Sequence, residues 1–114
     1  MKFKQEIVID ADCETCWDAF EKVGDKDRWQ VTDKRRPSFI AGNYITNSSD
    51  AVVVNHFEDA GDGRTRWTMY GNHSFRGFFR FVSIFFAGSI RKRNEDMMNN
   101  FKLFAETKQA ERPA

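Results

Sequence analysis

The sequence is poor in cysteine and proline and has no excess of charge of one sign. Its 114 residues include two cysteines and two prolines, and 18 basic against 17 acidic residues leave a net charge of +1. So balanced a charge creates no global field that would attract nucleic acid. A chain of this length buries enough surface for one core without disulfides or metal ions. We therefore expect one domain at residues 1–108, followed by a polar tail at 109–114.

Long hydrophobic runs are also absent. The longest mostly apolar segment, residues 77–90, is interrupted by Arg80 and is too short to span a bilayer. The first residues, MKFKQEIVIDAD, alternate polar and apolar side chains and lack the apolar centre of a signal peptide. We therefore expect a cytoplasmic protein.

The two cysteines, Cys13 and Cys16, form a CxxC pair at the predicted start of the first helix. A helix start lowers the pKa of a thiol, so thioredoxin-like redox chemistry is one interpretation. A structural zinc site needs four ligands, but His56 and His73 are the only histidines and lie far along the chain. The simpler interpretation is that Cys16 packs the first helix. We expect no metal and no cofactor.

Phenylalanine, by contrast, is abundant. Six of the twelve phenylalanines fall within residues 75–86. So much aromatic surface on one segment needs a large concave partner, which is either another layer of the protein or a ligand. A hydrophobic pocket is therefore the first functional hypothesis.

Hydrophobic periodicity predicts an α+β domain with an antiparallel meander between two helical segments. Because Pro37 would interrupt a ladder, strand pairing is expected to resume only after it. The predicted elements are a strand at 2–10, a helix at 12–23, a further helical turn at 25–30 that carries Trp29, strands at 38–46, 51–58 and 65–72, and a helix at 78–108.

This order of elements, together with three segments, resembles the START-like (SRPBCC) superfamily of polyketide cyclases, lipid-transfer domains and pollen-allergen-like proteins. The segments are EIVIDADCETCWDAFEKVGDKDRWQ, NHFEDAGDGRTRWTMYGNHSFRG and IRKRNEDMMNNFKLFAE. Trp17 takes the position of the family's helix tryptophan, whereas Asp12 stands where the family usually has proline. The resemblance implies the helix-grip fold, in which a curved antiparallel sheet wraps around a long C-terminal helix.

The chain departs from this family after Gln30. Similar proteins carry two more strands between Gln30 and Val31, so we expect a shortened sheet of about four or five strands. The omission exposes sheet edges, which proteins normally cover by pairing. The resulting hypothesis is a homodimer formed by edge-strand pairing or strand exchange.

The resemblance implies an apolar ligand cavity between the sheet and the long helix, with a few polar groups inside. The alternative is that the same side chains simply fill the core. The candidate ligand-binding residues are Trp17, Phe20, Tyr44, Val54, Phe57, Trp67, Met69, Phe85, Phe86, Ile90, Met97 and Phe101.

For catalysis inside such a cavity, the candidates are His56 and Tyr44. An imidazole titrates near neutral pH, and a phenol polarises a carbonyl group. Neither residue stands in a recognisable catalytic constellation. His73, near a strand end, is expected to be exposed to solvent.

The favoured function is binding, transport or sensing of a small hydrophobic molecule such as a lipid, polyketide or aromatic compound. One alternative is a polyketide cyclase or dehydratase-like enzyme that uses the same pocket. Another is an interaction module whose exposed edge and phenylalanine-rich helix bind a second copy or a partner. Membrane contact through the basic cluster at 91–93 is a further alternative, although such clusters are usually solvated faces.

Overall fold

The computed structural model describes residues 2–23, 27–47, 49–75 and 87–112. Within them the architecture is α+β, as predicted. The first part of the helix predicted at 78–108, including most of the phenylalanine-rich segment, lies outside the described residues. The elements are β1 (Lys2–Ile9), α1 (Cys13–Val23), β2 (Trp29–Arg35), β3 (Phe39–Ile45), β4 (Ser49–Gly61), β5 (Arg64–Phe75) and α2 (Ala87–Glu111).

The five strands form one antiparallel sheet in the order β1-β5-β4-β3-β2. Five strands agree with the shortened sheet expected from the sequence. β1 and β2 form its two edges within the described part of the chain. The proposal that these edges pair with a second copy stays a prediction.

The strand β2 corrects one prediction. Residues 29–30 were expected in a helical turn and pairing was expected only after Pro37, but β2 precedes this proline and pairs with β3. The strand is hard to recognise because its residues after Trp29 are exposed. Polar and basic side chains suit an edge strand, where they discourage pairing with other chains.

The two helices of the described residues, α1 and α2, lie on one face of the sheet, which we call the inner face. Side chains alternate between the two faces along each strand. On β4 the fully buried Asn55 and Phe57 point to the inner face, and on β5 their partners Met69 and Trp67 do the same. The hydrophobic core lies between this face and the helices.

The two helices are tied together by polar contacts at the start of α1. The Asp12 carboxylate caps α1 by accepting a hydrogen bond from the Thr15 N–H at 2.8 Å. The Gln109 side-chain oxygen accepts hydrogen bonds from the Asp12 N–H and the Thr15 hydroxyl, both at 3.0 Å. Arg112 contacts Asp18 at 2.8 Å. The helix predicted to end at 108 therefore continues to Glu111, and residues 109–112 are anchored rather than a frayed tail.

Candidate functional site

One half of the inner face is filled by aromatic rings. The Phe20 ring lies at the centre of four edge-to-face contacts, and its centroid is 6.4 Å from Trp29, 5.7 Å from Phe57, 6.1 Å from Trp67 and 6.0 Å from Phe101. Rings at these distances are in the range of favourable aromatic packing. This closed half is core and leaves no room for a ligand among these five side chains.

A buried amide also belongs to the closed half. Asn55 accepts the indole N–H of Trp67 at 3.0 Å, and its own N–H₂ donates to the Ile40 carbonyl at 3.4 Å. Asn55 and Trp67 are each about 1% exposed. Because a buried polar group without a partner is costly, these bonds account for a carboxamide inside an aromatic core.

Among the described residues, the neighbouring row of the inner face carries only small side chains of its own. Val53 on β4 pairs with Gly42 on β3 and with Gly71 on β5, so a row across the sheet carries one small side chain between two glycines. We call Gly42, Val53 and Gly71 the glycine trough. Aromatic rings border it from both edges. A Cβ atom on Gly71 would lie 2.0 Å from the Phe3 ring, and one on Gly42 would lie 3.0 Å from the Trp29 ring.

Two ionisable rings lie in the next row of the inner face. His73 on β5 and Tyr44 on β3 both pair with Ala51 on β4. The His73 ring centroid is 5.2 Å from that of Phe3 and 6.0 Å from that of Phe75. Burial lowers the pKa of His73. The expectation that His73 is solvent-exposed is therefore wrong. His73 lies an even number of residues after Trp67 and Met69 on the same strand, and this spacing places all three side chains on one face of the sheet.

An open groove of about 540 Å³ runs between β1 and the first half of α2. Gln5 lies in its wall, is 7% exposed and donates a hydrogen bond to the Arg91 carbonyl at 3.1 Å. The groove therefore connects the inner face with the edge of the sheet at β1. Its lining residues are Lys4, Gln5, Glu6, Ile7, Arg91, Glu95, Met98 and Asn99.

His56 and Val54 lie on the outer face, away from both helices. His56 is paired with Phe39 and Thr68, and its ring centroid is 5.2 Å from Phe39 and 5.9 Å from Tyr70. The prediction that His56 and Val54 share a cavity with Phe57 is wrong, because residues one or three positions apart on a strand face opposite sides. A shallow groove of about 500 Å³ on this face includes Val54 and Tyr70.

The helix α2 presents a different methionine than predicted. Met97 is 43% exposed, whereas Met98 is 2% exposed and packs in the core with Phe101 and Ala105. Ile90 is half-buried near the start of the helix. The predicted site residues Phe85 and Phe86 lie outside the described residues.

The predicted site residues therefore separate into three groups. Tyr44 stands beside the glycine trough, and Val54, His56 and Met97 point away from the inner face. The remaining described ones, apart from Ile90, belong to the core cluster or pack against it: Trp17, Phe20, Phe57, Trp67, Met69 and Phe101.

The second cysteine of the pair is not a reactive thiol in this fold. Cys16 is fully buried, and burial raises the pKa of its thiol to about 11. A reactive thiol needs the opposite shift. Cys16 instead packs in the core, and both cysteines are free thiols. Among the described residues, no group of three or more His, Cys, Asp or Glu side chains is arranged to hold a metal ion.

The basic clusters are paired with acids. Arg91 lies 3.8 Å from Glu95, and Lys92 lies 4.0 Å from Asp96. In a second basic cluster, Lys34-Arg35-Arg36, the Arg36 guanidinium donates hydrogen bonds to Glu14 and Asp18 of α1. None of the described helices is long and apolar enough to cross a membrane. Membrane contact through residues 91–93 stays a prediction.

The sequence matches no protein-family profile and no curated protein. The fold, however, is shared with solved structures. A conserved protein from Geobacillus kaustophilus superposes with a TM-score of 0.74 at 12% identity over 94% of this chain and 96% of that one. The di-domain aromatase/cyclase BexL from the BE-7585A biosynthetic pathway gives 0.66 at 11% identity, over 99% of this chain and 51% of that one. The Zhui aromatase/cyclase from Streptomyces sp. R1128 gives 0.57 at 8% identity, over 96% and 95%. These likenesses show that the chain has the helix-grip fold.

Proposed function

We propose that the protein binds a small hydrophobic molecule between the open part of the inner face and the first half of α2. The glycine trough carries this proposal. This row contributes one small side chain, Val53, between two glycines, whereas the rest of the inner face carries large rings, and the rings of Phe3 and Trp29 lie against the two glycines. A concave apolar surface bordered by a few polar side chains is the usual form of a small-molecule site.

Two further observations support the proposal. The aromatic rings of Phe3 and Trp29 border the trough and would stack on a flat ligand. Two of the proteins that share the fold are aromatase/cyclases by name. By analogy with these proteins, we propose an aromatic or polyketide-like ligand for this chain.

The test fills the trough. The substitution Val53→Phe puts a ring between the two glycines and should weaken binding of the neutral fluorescent probe N-phenyl-1-naphthylamine by at least about tenfold, because the ring occupies the ligand's volume. The matched control Val52→Phe adds the same ring on the outer face, where Val52 is exposed, and should leave the affinity unchanged. Fluorescence titration measures both. No binding by the unmodified protein, or equal loss in both variants, would refute a site at the trough.

A second candidate function is a cyclase-like enzyme, favoured by the shared row of His73 and Tyr44. The two residues are separated by two strand spacings, about 10 Å, so a ligand above Ala51 would lie between them. His73 would remove a proton from carbon next to a ligand carbonyl, and the Tyr44 hydroxyl would donate a hydrogen bond to the enolate oxygen. The enolate carbon would then attack a second carbonyl, whose oxygen takes up the proton.

The enzymatic candidate is tested with a linear poly-β-ketone thioester and mass spectrometry of the products. His73→Phe and Tyr44→Phe should abolish cyclised product beyond the spontaneous background while probe binding persists. His56→Phe is the matched control, because His56 lies on the outer face. Unchanged turnover in the first two variants would exclude this mechanism.

A further inference from the structure

Two carboxamides, one on β1 and one on α2, each have a buried polar atom without a hydrogen-bond partner among the described residues. Gln5 uses its N–H₂ group to reach the Arg91 carbonyl, but its side-chain oxygen is buried and has no hydrogen-bond partner among the described residues. The side-chain N–H₂ group of Asn94 is likewise buried and unpartnered there. An unpartnered acceptor on β1 therefore stands against the helix that carries an unpartnered donor.

The two groups are expected to lie close together, because Gln5 contacts α2 at a point less than one helical turn from Asn94. Gln5 bonds to the carbonyl of Arg91, and Asn94 follows three residues later, a rise of about 5 Å. Side chains on a helix lean toward its N-terminus, which directs the Asn94 amide back toward Arg91 and Gln5. Gln5 also lies two residues from Phe3 on the inner-facing side of β1, next to the ring that borders the glycine trough.

A polar group that is buried and left unpaired has lost its hydrogen bonds to water without replacement, which is unfavourable. In native proteins, buried unpaired polar groups are few, and a molecule that binds there is one explanation for them. Here the two groups have opposite hydrogen-bonding character; Gln5 lies in the wall of a groove of about 540 Å³, and Asn94 directly precedes Glu95, which also lines it.

We propose that Gln5 and Asn94 form the polar anchor of the site and select a ligand with a hydroxyl group on its apolar body, such as a phenol or an enol. The ligand hydroxyl donates its hydrogen to the Gln5 side-chain oxygen. The oxygen of this hydroxyl accepts a hydrogen bond from the Asn94 N–H₂ group. This inference rests on the proposed function, since it names the class of molecule that the hydrophobic site takes.

The other common ligand groups satisfy only half of this anchor. A ketone, ether or carboxylate offers acceptors only and leaves the Gln5 oxygen unpaired, whereas an ammonium group offers donors only and leaves Asn94 unpaired. The charges around the groove favour neither sign, because Lys4 and Arg91 face Glu6 and Glu95. A neutral hydroxyl is the simplest group that pairs both amides.

The experiment compares three naphthalenes of similar shape by calorimetric titration of the unmodified protein. The hydroxyl of 2-naphthol donates and accepts, 2-methoxynaphthalene accepts only, and 2-methylnaphthalene does neither. We expect 2-naphthol to bind about tenfold more tightly than 2-methoxynaphthalene and 2-methylnaphthalene to bind most weakly, since one net hydrogen bond corresponds to about that factor. Affinities within about twofold of one another overturn the hydroxyl anchor but leave the hydrophobic site standing. If none of the three binds, the proposed function fails as well.

Substitutions of Gln5 and Asn94 test which residue causes each difference in affinity among the three compounds. Gln5→Met should remove the advantage of 2-naphthol over 2-methoxynaphthalene, and Asn94→Leu the advantage of 2-methoxynaphthalene over 2-methylnaphthalene. The matched controls Gln30→Met on β2 and Asn100→Leu on α2 replace exposed amides and should keep the unmodified protein's ratios. Retained preferences in the Gln5 and Asn94 variants contradict the anchor.

A measurement on the unmodified protein covers the case in which a variant does not fold. In ¹⁵N NMR spectra, the side-chain amide signals of Gln5 and Asn94 should move more with 2-naphthol than with 2-methylnaphthalene. Equal movement with both compounds overturns the proposal.

Discussion

Trp67 donates its indole N–H to the side-chain oxygen of Asn55, 3.0 Å away, inside the aromatic half of the core. The two residues lie on the neighbouring strands β5 and β4, and Asn55 also donates a hydrogen bond to the carbonyl of Ile40 on β3. One carboxamide therefore links three strands. The bond also separates the filled part of the inner face from the glycine trough.

The first prediction concerns this hydrogen bond. Asn55→Leu should lower the free energy of unfolding by about 1–3 kcal/mol, because it leaves a buried indole N–H without an acceptor. Trp67→Phe removes the donor, and in the double variant the penalty of the unpaired N–H disappears. Denaturant unfolding of the four proteins gives the coupling energy, which should exceed about 0.5 kcal/mol. Strictly additive effects would mean that the bond contributes nothing specific.

Local chemistry made the larger part of the fold predictable. The sequence Gly61-Asp62-Gly63 is typical of a hairpin, and all three residues have positive φ, at 89°, 56° and 73°, where β4 turns into β5. Alternation placed Trp67 and Met69 on one face. Asp10 and Asp12, short acidic side chains before a helical pattern, are typical of an N-cap and an acidic first turn, and in the structure Asp12 is the cap.

Tertiary packing decided the features that were not predicted. Met97 and Met98 fit helical spacing to Phe101 equally well, and the inner stripe of α2 runs through Asn94 and Ala105, which a search for apolar residues overlooks. The importance of Gly42 is similarly invisible in sequence. Its role comes from the Gln30 backbone and the Trp29 ring that pack against it once β2 is paired.

The second prediction compares three glycines. Gly42→Ala should destabilise the protein by about 1–3 kcal/mol, because the new Cβ would lie 2.3 Å from the Gln30 backbone carbonyl oxygen. Gly71→Ala should cost less, since its neighbour is the end of the Phe3 side chain, which turns away more easily. Gly88→Ala meets no atom within 4 Å and should stabilise the helix by up to about 1 kcal/mol. Thermal and denaturant unfolding give the order, and a Gly71 variant less stable than the Gly42 variant would contradict it.

The third prediction concerns the thiols. In the native protein at pH 8, Ellman's reagent should label one cysteine per chain, and the reactive residue should be Cys13. Cys16 is inaccessible, and its thiol has a pKa of about 11 because burial disfavours the thiolate. Denaturant should raise the count to two. Cys13→Ser should give none in the native state, and rapid labelling of that variant would restore the redox interpretation.

The last prediction concerns pH. Burial lowers the pKa of His73 in the folded state below its ordinary value of 6.5, so the unfolded chain binds a proton more readily than the folded one. The stability that His73 contributes is therefore fully present above pH 6.5 and decreases as the pH falls through that value, until the folded state also becomes protonated. Unfolding experiments between pH 7.5 and 5.0 should show this loss. In His73→Phe the part of the loss due to His73 should disappear, whereas His56→Phe retains His73 and should keep it.

An NMR titration of the His73 ring gives an independent measurement, because it reads the folded-state pKa directly rather than through stability. A midpoint above 6.5 would reverse the sign of the linkage and contradict a half-buried ring between Phe3 and Phe75. A ligand that occupies the trough should bury the ring further and lower the midpoint again, since desolvation disfavours the imidazolium. The same titration, repeated with 2-naphthol, would thus connect the pKa of His73 to the proposed site: an unchanged midpoint at saturating ligand would place the bound molecule elsewhere.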